Sequence, residues 1–228
     1  MYLTTIGYGN TALGESALYK SSGSMNTAIG QNSLKAHIEG ICNAGVGGYS
    51  FYSSTSGSFN SALGYNASSA LASGSYNVYL GAGAGPTSSI DPVFENKKLY
   101  IASGSGTPLI GGDFAAQTVT ITGELRATGD IIAYYSSDER LKDNITPISN
   151  ALDKVKQIGG YEFDWNDKQS TYEGHDVGVI AQEIEAILPE LVTTRDNGYK
   201  AVKYEKIIAL LIEAIKEQQL QIDKLKSI

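Results

Sequence analysis

Along the first 85 residues, apolar and polar positions recur with a period too long for a helix or a strand. An aliphatic residue stands directly before a glycine five times, at Leu13-Gly14, Ile29-Gly30, Val46-Gly47, Leu63-Gly64 and Leu80-Gly81. Each pair follows an asparagine at constant distance: Asn10, Asn26, Asn43, Asn60 and Asn77. A second set of glycines, Gly7, Gly23, Gly40, Gly57 and Gly74, precedes those asparagines by three, with spacings of 16 once and 17 three times. A period this short fits one coil of a β-solenoid or β-roll built from short strands and tight turns. The glycines and asparagines are expected at the turns, where they tolerate positive φ. The aliphatic column is expected to stack coil upon coil into a continuous core. One coil cannot bury its own apolar side, so stability must come from stacking and from neighbouring chains.

After Gly85 the period is lost. Residues 86–136 carry short β-rich pieces, Lys98-Leu-Tyr-Ile-Ala102 and Thr118-Val-Thr-Ile-Thr122, between Gly, Ser and Asp turns, and read as a β-rich stem. From 137 onward the pattern becomes that of an ordinary α+β domain. Tyr161-Glu-Phe-Asp-Trp165 alternates aromatic and polar positions, which predicts a strand with one packed face. Val177-Gly-Val-Ile180 predicts a second, buried strand, followed by a helix over 181–188 that Pro189 stops. A long helix is predicted over about 203–227. On it Ile208, Leu211, Ile215, Gln218, Ile222 and Leu225 follow 3-4-3-4-3 spacing, a short coiled-coil seam with one polar layer.

Composition sharpens the division into unlike halves. Residues 1–136 hold 21 of the 26 glycines but 12 of the 41 Lys, Arg, Asp and Glu residues. That half has too few charges for a typical globular surface and too many β-formers for a linker, which favours a fibrous repeat. The net charge of −7 and the absence of basic clusters argue against a nucleic-acid partner. The single cysteine, Cys42, cannot form an intrachain disulfide. No run approaches the roughly 20 apolar residues of a membrane span, so no membrane insertion is expected. His37 and His175 are solitary, and neither has a Cys, His or carboxylate at ligand spacing, so neither a metal nor another cofactor is expected. Glu183, Glu185 and Glu190 read as a solvated face.

Two resemblances then sharpen the reading. The repeat text, as in Asn26-Thr-Ala-Ile-Gly30, resembles the head repeats of trimeric bacterial adhesins and similar repeats in phage fibres, which implies a homotrimer. The run Ser136-Ser-Asp-Glu-Arg-Leu-Lys-Asp-Asn-Ile145 resembles the opening of the peptidase S74 family, the intramolecular chaperone domain of phage endosialidases and tail fibres. Further matches follow in order at Gly178-Val-Ile-Ala-Gln-Glu-Ile184, Pro189-Glu-Leu-Val192 and Val202-Lys-Tyr204, so the resemblance covers 137–228. It implies that the domain cuts its own chain once, in cis, between Ser136 and Ser137. Ser137 would be the nucleophile and Lys142 the base; Ser137 is preferred over Ser136 because the family's serine directly precedes an aspartate. The resemblance also implies an intertwined trimeric stem over 86–136, a trimeric seam on the last helix, and a place in the virion as a tail fibre or tailspike, made in the host cytoplasm. A host cell-surface receptor or glycan is then the external partner.

The chemistry asks for these residue types. A serine hydroxyl needs a base to take its proton. A lysine with its free pKa of about 10.4 becomes one when burial disfavours the ammonium. Spacing sets a constraint: five residues turn about 500° along a helix, leaving the pair roughly 140° apart, and along a strand they face opposite sides. A break between them, or a pairing across subunits, is therefore expected. The plainer reading of Ser136-Ser-Asp-Glu139 is a helix-capping box with Lys142 as a solvated surface residue, and Asp138 is read as capping or orienting the loop. Two functional rivals stay open: an uncleaved trimeric adhesin or fibre in which 137–228 is a permanent cap, and a peptidase acting on other proteins.

Overall fold

The computed structural model describes residues 7–86, 93–104, 106–169, 171–195 and 197–227. Residues 1–6 of the expected repeat region and 87–92 of the expected stem lie outside the described residues. The chain divides into two compact units, Met1–Ile132 and Ala133–Ile228.

The first unit is mainly β, a solenoid of about five turns. Each coil contributes one three-residue strand: β1 (Thr11–Leu13), β2 (Thr27–Ile29), β3 (Ala44–Val46), β4 (Ser61–Leu63) and β6 (Val78–Leu80), with β5 (Leu71–Ser73) as an extra strand in the fourth coil. They pair in parallel at equal positions of the repeat, Thr11 with Thr27, Ala12 with Ala28, and so on down the stack. β7 (Val93–Phe94) pairs with β5, and β8 (Lys98–Ile101) continues the main stack below β6. Two antiparallel strands, β9 (Ile110–Asp113) and β10 (Thr118–Ile121), complete an eight-stranded sheet in the order β1-β2-β3-β4-β6-β8-β9-β10. The turn between β9 and β10 is held by Asp113, whose Oδ1 accepts from the N–H groups of Ala115 (2.8 Å) and Ala116 (3.0 Å). Lys98 Nζ lies 2.6 Å from Asp113 Oδ2, which helps to hold this carboxyl down at about 2.

The core of the coils differs from the expectation. The aliphatic column points outward: Leu13 is 66%, Ile29 36% and Leu63 55% exposed. The residues one earlier, Ala28, Ala62 and Tyr79, point inward and are buried. They pack with Leu18, Leu34, Phe51 and Leu71, and fully burying side chains of that size is worth roughly 1.5–3 kcal/mol each. Successive strand residues face opposite sides, so one position decides which column is core. The inward strand positions, mostly alanine, leave room for Leu18, Leu34, Phe51 and Leu71 to fill the interior from the turns and the extra strand.

The asparagines also differ from the expectation: none of the five repeat asparagines has positive φ. Asn26, Asn43, Asn60 and Asn77 are buried and form a ladder. Asn60 Oδ1 accepts from the backbone N–H (3.0 Å) and Nδ2 (3.0 Å) of Asn77, and Asn60 Nδ2 donates to Gly74 O (2.7 Å). Each coil thereby satisfies the polar backbone of the next. The left-handed positions fall instead on the residues just before, Met25, Cys42, Phe59 and Tyr76. Glycine is required where coils touch: a Cβ on Gly47 (φ 124°) would lie 2.4 Å from Gly64 O. Gly45 replaces the inward alanine for another reason, since a Cβ there would meet Ser33 Oγ at 2.8 Å.

Over the stretch read as a stem, regular strands end at Ile121, and no helix or strand is formed over 124–138. Leu125, Ile131, Ile132, Tyr134 and Tyr135 in this segment are all exposed.

The second unit has its own core of Ala151, Ile184, Leu188, Leu191, Val192, Leu210 and Ala214. A short helix α1 (Ala151–Val155) precedes the hairpin β11 (Tyr161–Asp164) and β12 (His175–Gly178). Helix α2 (Ala181–Ile187) is followed by a 3-10 turn that Pro189 opens, the hairpin β13 (Val192–Thr194) and β14 (Lys200–Val202), and helix α3 (Tyr204–Lys226). The predicted second strand exists but is not buried, with Val177 largely exposed. The aromatic residues of β11 form a half-exposed cluster, in which Trp165 stacks on Tyr172 at 4.8 Å. The glutamates are not all solvated: Glu183 accepts from Tyr161 Oη (2.6 Å) and Gly159 N (3.2 Å), and Glu185 pairs with Lys200.

Candidate active site

The segment from Ser136 to Lys142 is built around a single 3-10 turn, Glu139–Leu141. Asp138 starts it: its Oδ1 accepts from Arg140 N at 2.9 Å, so the capping residue is the aspartate rather than a serine. The Arg140 guanidinium clasps the same carboxylate, with Nη2 at 2.6 Å from Oδ2 and Nε at 3.0 Å from Oδ1. That side-chain bond first, then the backbone N–H, holds the Asp138 carboxyl below its usual range. Lys142 leaves the turn in an extended conformation, its N–H donating to Glu139 O at 3.0 Å.

This turn is the break that the spacing calls for. It folds the chain back so that Lys142 Nζ lies 2.9 Å from Ser137 Oγ and 3.1 Å from Ser137 O, within one chain. A neutral lysine amine has two hydrogens and one lone pair. It can donate to Ser137 O while accepting from the Ser137 hydroxyl, an arrangement suited to general-base activation. Ser136, Ser137 and Lys142 are all exposed, so the chain by itself does not supply the burial that converts a lysine into a base.

The residues read as a seam lie on one side of α3. Ile208, Leu211, Ile215, Gln218, Ile222 and Leu225 are all exposed. The adjoining face of the helix is occupied, with Leu210 and Ala214 buried against the unit's core. A residue that the sequence did not single out joins the two. Glu217 on α3 accepts from Ala151 N (2.9 Å) and Leu152 N (2.8 Å), the first turn of α1, where Asn150 offers no side-chain cap. The only sequence signal for it was a carboxylate on α3 outside the seam positions.

Comparison with known proteins supplies the context. Residues 137–193 match the peptidase S74 family, chaperone of endosialidase. The chain is 36% identical over 124 residues to the long tail fiber protein Gp37 of Salmonella phage S16, covering 49% of this chain and 17% of that protein. It is 36% identical over 103 residues to Gp37 of Enterobacteria phage K3, 41% of this chain and 8% of the relative. It is 35% identical over 100 residues to Gp37 of Enterobacteria phage M1, with 41% and 40% covered. The chain thus spans less than half the length of these relatives. Residues 137–193 thus match the chaperone-of-endosialidase model of the peptidase S74 family, and up to about half of the chain is similar to phage long tail fibre proteins.

Proposed function

We propose that this chain is the distal part of a homotrimeric phage tail fibre or tailspike whose C-terminal unit aligns three chains and then cuts itself free between Ser136 and Ser137. The fibre relatives and the chaperone family support the general role. The observation that carries the proteolytic part is the 2.9 Å approach of Lys142 Nζ to Ser137 Oγ inside the family-matched segment.

The exposed seam of α3 is the element that would join three chains first. Non-local β pairing is slow and exposed to aggregation, so a helical trimeriser that raises the local concentration of the stems has a physical use. The exposed stem residues Leu125, Ile131, Ile132, Tyr134 and Tyr135 would be covered as the stems wind together. The same winding would cover the neighbouring Ser137 and Lys142. Burial would disfavour the ammonium and switch the dyad on, so cleavage would report assembly. In the virion the external partner would be a receptor or glycan of the host surface.

The step balances within the chain. Lys142 Nζ takes the Ser137 hydroxyl proton as Oγ adds to the Ser136 carbonyl carbon. The Ser136–Ser137 C–N bond breaks, Lys142 returns the proton to the leaving Ser137 nitrogen, and an ester joins Ser136 to Ser137 Oγ. Water hydrolyses that ester, leaving a Ser136 carboxylate and a free Ser137 hydroxyl. The enzyme is a single-turnover endopeptidase because nucleophile and scissile bond adjoin in one chain; added substrate proteins are expected to stay intact.

The rival reading, a permanent trimerising cap, draws on the exposure of Ser137 and Lys142 in the single chain. Intact mass under denaturing conditions decides between them. Wild type is expected to split into 1–136 and 137–228 while Ser137→Ala and Lys142→Ala stay whole. A wild-type trimer that stays whole makes the cap the correct reading.

A further inference from the structure

A carboxylate stands next to the nucleophile proposed above. Asp138 directly follows Ser137, and Lys142 Nζ lies 2.9 Å from Ser137 Oγ. An anion this near would pair with the Lys142 ammonium and keep its proton in place, because an opposite charge favours the charged form. Asp138 is engaged elsewhere. Both of its oxygens are taken by one residue: Oδ1 accepts from Arg140 N (2.9 Å) and Nε (3.0 Å), and Oδ2 accepts from Nη2 (2.6 Å) and Nε (3.2 Å). The Arg140 side chain and then its N–H hold this carboxyl below its usual range, and the Lys142 charge contributes least. Among the described residues no carboxylate forms an ion pair with Lys142. Its other acidic neighbours along the chain, Glu139 and Asp143, are exposed.

The Arg140 side chain is 88% exposed, and an exposed ion pair adds little to the stability of a fold. Its effect is local. We infer that Arg140 is a positioning residue for the proposed self-cleavage: it holds the Asp138 carboxylate away from Lys142, so that the lysine can give up its proton and serve as base. The arginine acts in two ways that add. It engages the anion that would keep the ammonium, and its own guanidinium disfavours a second positive charge nearby. Winding of the stems strengthens both effects, because charges covered from water interact more strongly. The inference rests on the cleavage reading above.

The pH dependence of cutting in the full chain tests it. Denatured, uncut chains are refolded and assembled at about pH 6, where the ammonium form of lysine dominates, and then jumped to buffers between about pH 7 and about pH 10. Native mass before the jump establishes the trimer, and denaturing mass follows scission between Ser136 and Ser137. Arg140→Gln is expected to move the midpoint of the rate profile up by about one pH unit, cutting about tenfold more slowly than wild type near neutral pH and catching up at the alkaline end. Adding Asp138→Asn to Arg140→Gln is expected to move the midpoint back down. An Arg140→Gln trimer slowed equally at every pH, or a double variant whose midpoint stays with the single one, overturns the inference and makes the clasp a structural tie of the turn, while self-cleavage stands. A wild-type trimer that stays whole at every pH removes the cleavage reading and this inference together.

Discussion

The two units differ in what their interiors hold beside hydrocarbon. In the solenoid the strand aliphatics Leu13, Ile29 and Leu63 face outward, and the interior combines Leu18, Leu34, Leu71, a few rings and small residues with a ladder of buried Asn26, Asn43, Asn60 and Asn77. In the C-terminal unit the aliphatics Ile184, Leu188, Leu191 and Leu210 are inside, as in an ordinary globular core. The difference follows from shape. A narrow coil buries its own backbone and must satisfy those N–H and C=O groups internally. A unit with helices satisfies most of its backbone locally and can give its interior to hydrocarbon.

The comparison breaks most sharply at Asn60. Asn60→Leu keeps the heavy-atom outline but leaves the buried N–H of Asn77 and the part-buried Gly74 O without their partner. Orphaned groups of this kind cost roughly 1–3 kcal/mol each, so the solenoid is expected to lose about 4 kcal/mol, read by urea unfolding. In the second unit the damaging change is the opposite one. Ile184→Ala, at a residue with no exposed surface, is expected to cost about 3 kcal/mol by lost burial and a cavity. If Asn60→Leu were neutral, the ladder would be incidental and the solenoid would be an apolar core like any other.

How much of this could be read from the sequence divides along the same line. The repeat, its period and the coil are legible because five copies report one geometry. The direction of each strand is not legible, because three residues give only one alternation and the eye assigns Leu13 rather than Ala12 to the core. The asparagines look like turn residues since their propensity says so; their ladder becomes visible only when coils are stacked. In the second unit, Val177 misleads because a β-branched run is also what a hairpin exposed on one side looks like. The apolar stripe of α3 is legible from its spacing, while Glu217 is not, because its partners are backbone groups 65 and 66 residues away. The dyad came from resemblance alone. Spacing called for a break between Ser137 and Lys142 or a pairing across subunits, and the 3-10 turn capped by Asp138 is such a break.

His37 sharpens the comparison through pH. It lies buried inside the solenoid, with Nε2 facing Asn43 Nδ2 at 3.3 Å, and burial lowers its pKa from 6.5 to about 4. His37 is therefore neutral when folded, and the unfolded chain takes up the proton first. Its contribution is full above pH 6.5, is lost as pH falls from 6.5 towards 4, and changes little below. The span corresponds to about 3 kcal/mol per chain at 1.36 kcal/mol per pKa step. Solenoid stability measured between pH 7 and pH 4 is expected to fall by this amount in wild type and much less in His37→Asn. The second unit has no buried histidine among its described residues, so its pH response is expected to differ.

The smallest expected effect lies at the link between the two faces of α3. Glu217 holds the first turn of α1 with both carboxylate oxygens, and α1 follows the segment carrying Lys142 by nine residues. Loss of a helix-capping acceptor costs about 1 kcal/mol, so Glu217→Ala is expected to leave the unit folded and the seam Ile208, Leu211, Ile215, Gln218, Ile222 and Leu225 untouched. If the proposed trimer cuts itself, the effect should appear instead in the rate of that cleavage, because α1 anchors the stretch of chain leading back to Ser137 and Lys142. Slower cleavage with unchanged trimer mass would show that the helix proposed to join the chains also positions the site. Unchanged cleavage would mean that α1 is only packed against α3, and that Ile148 and the core behind it suffice to hold the segment.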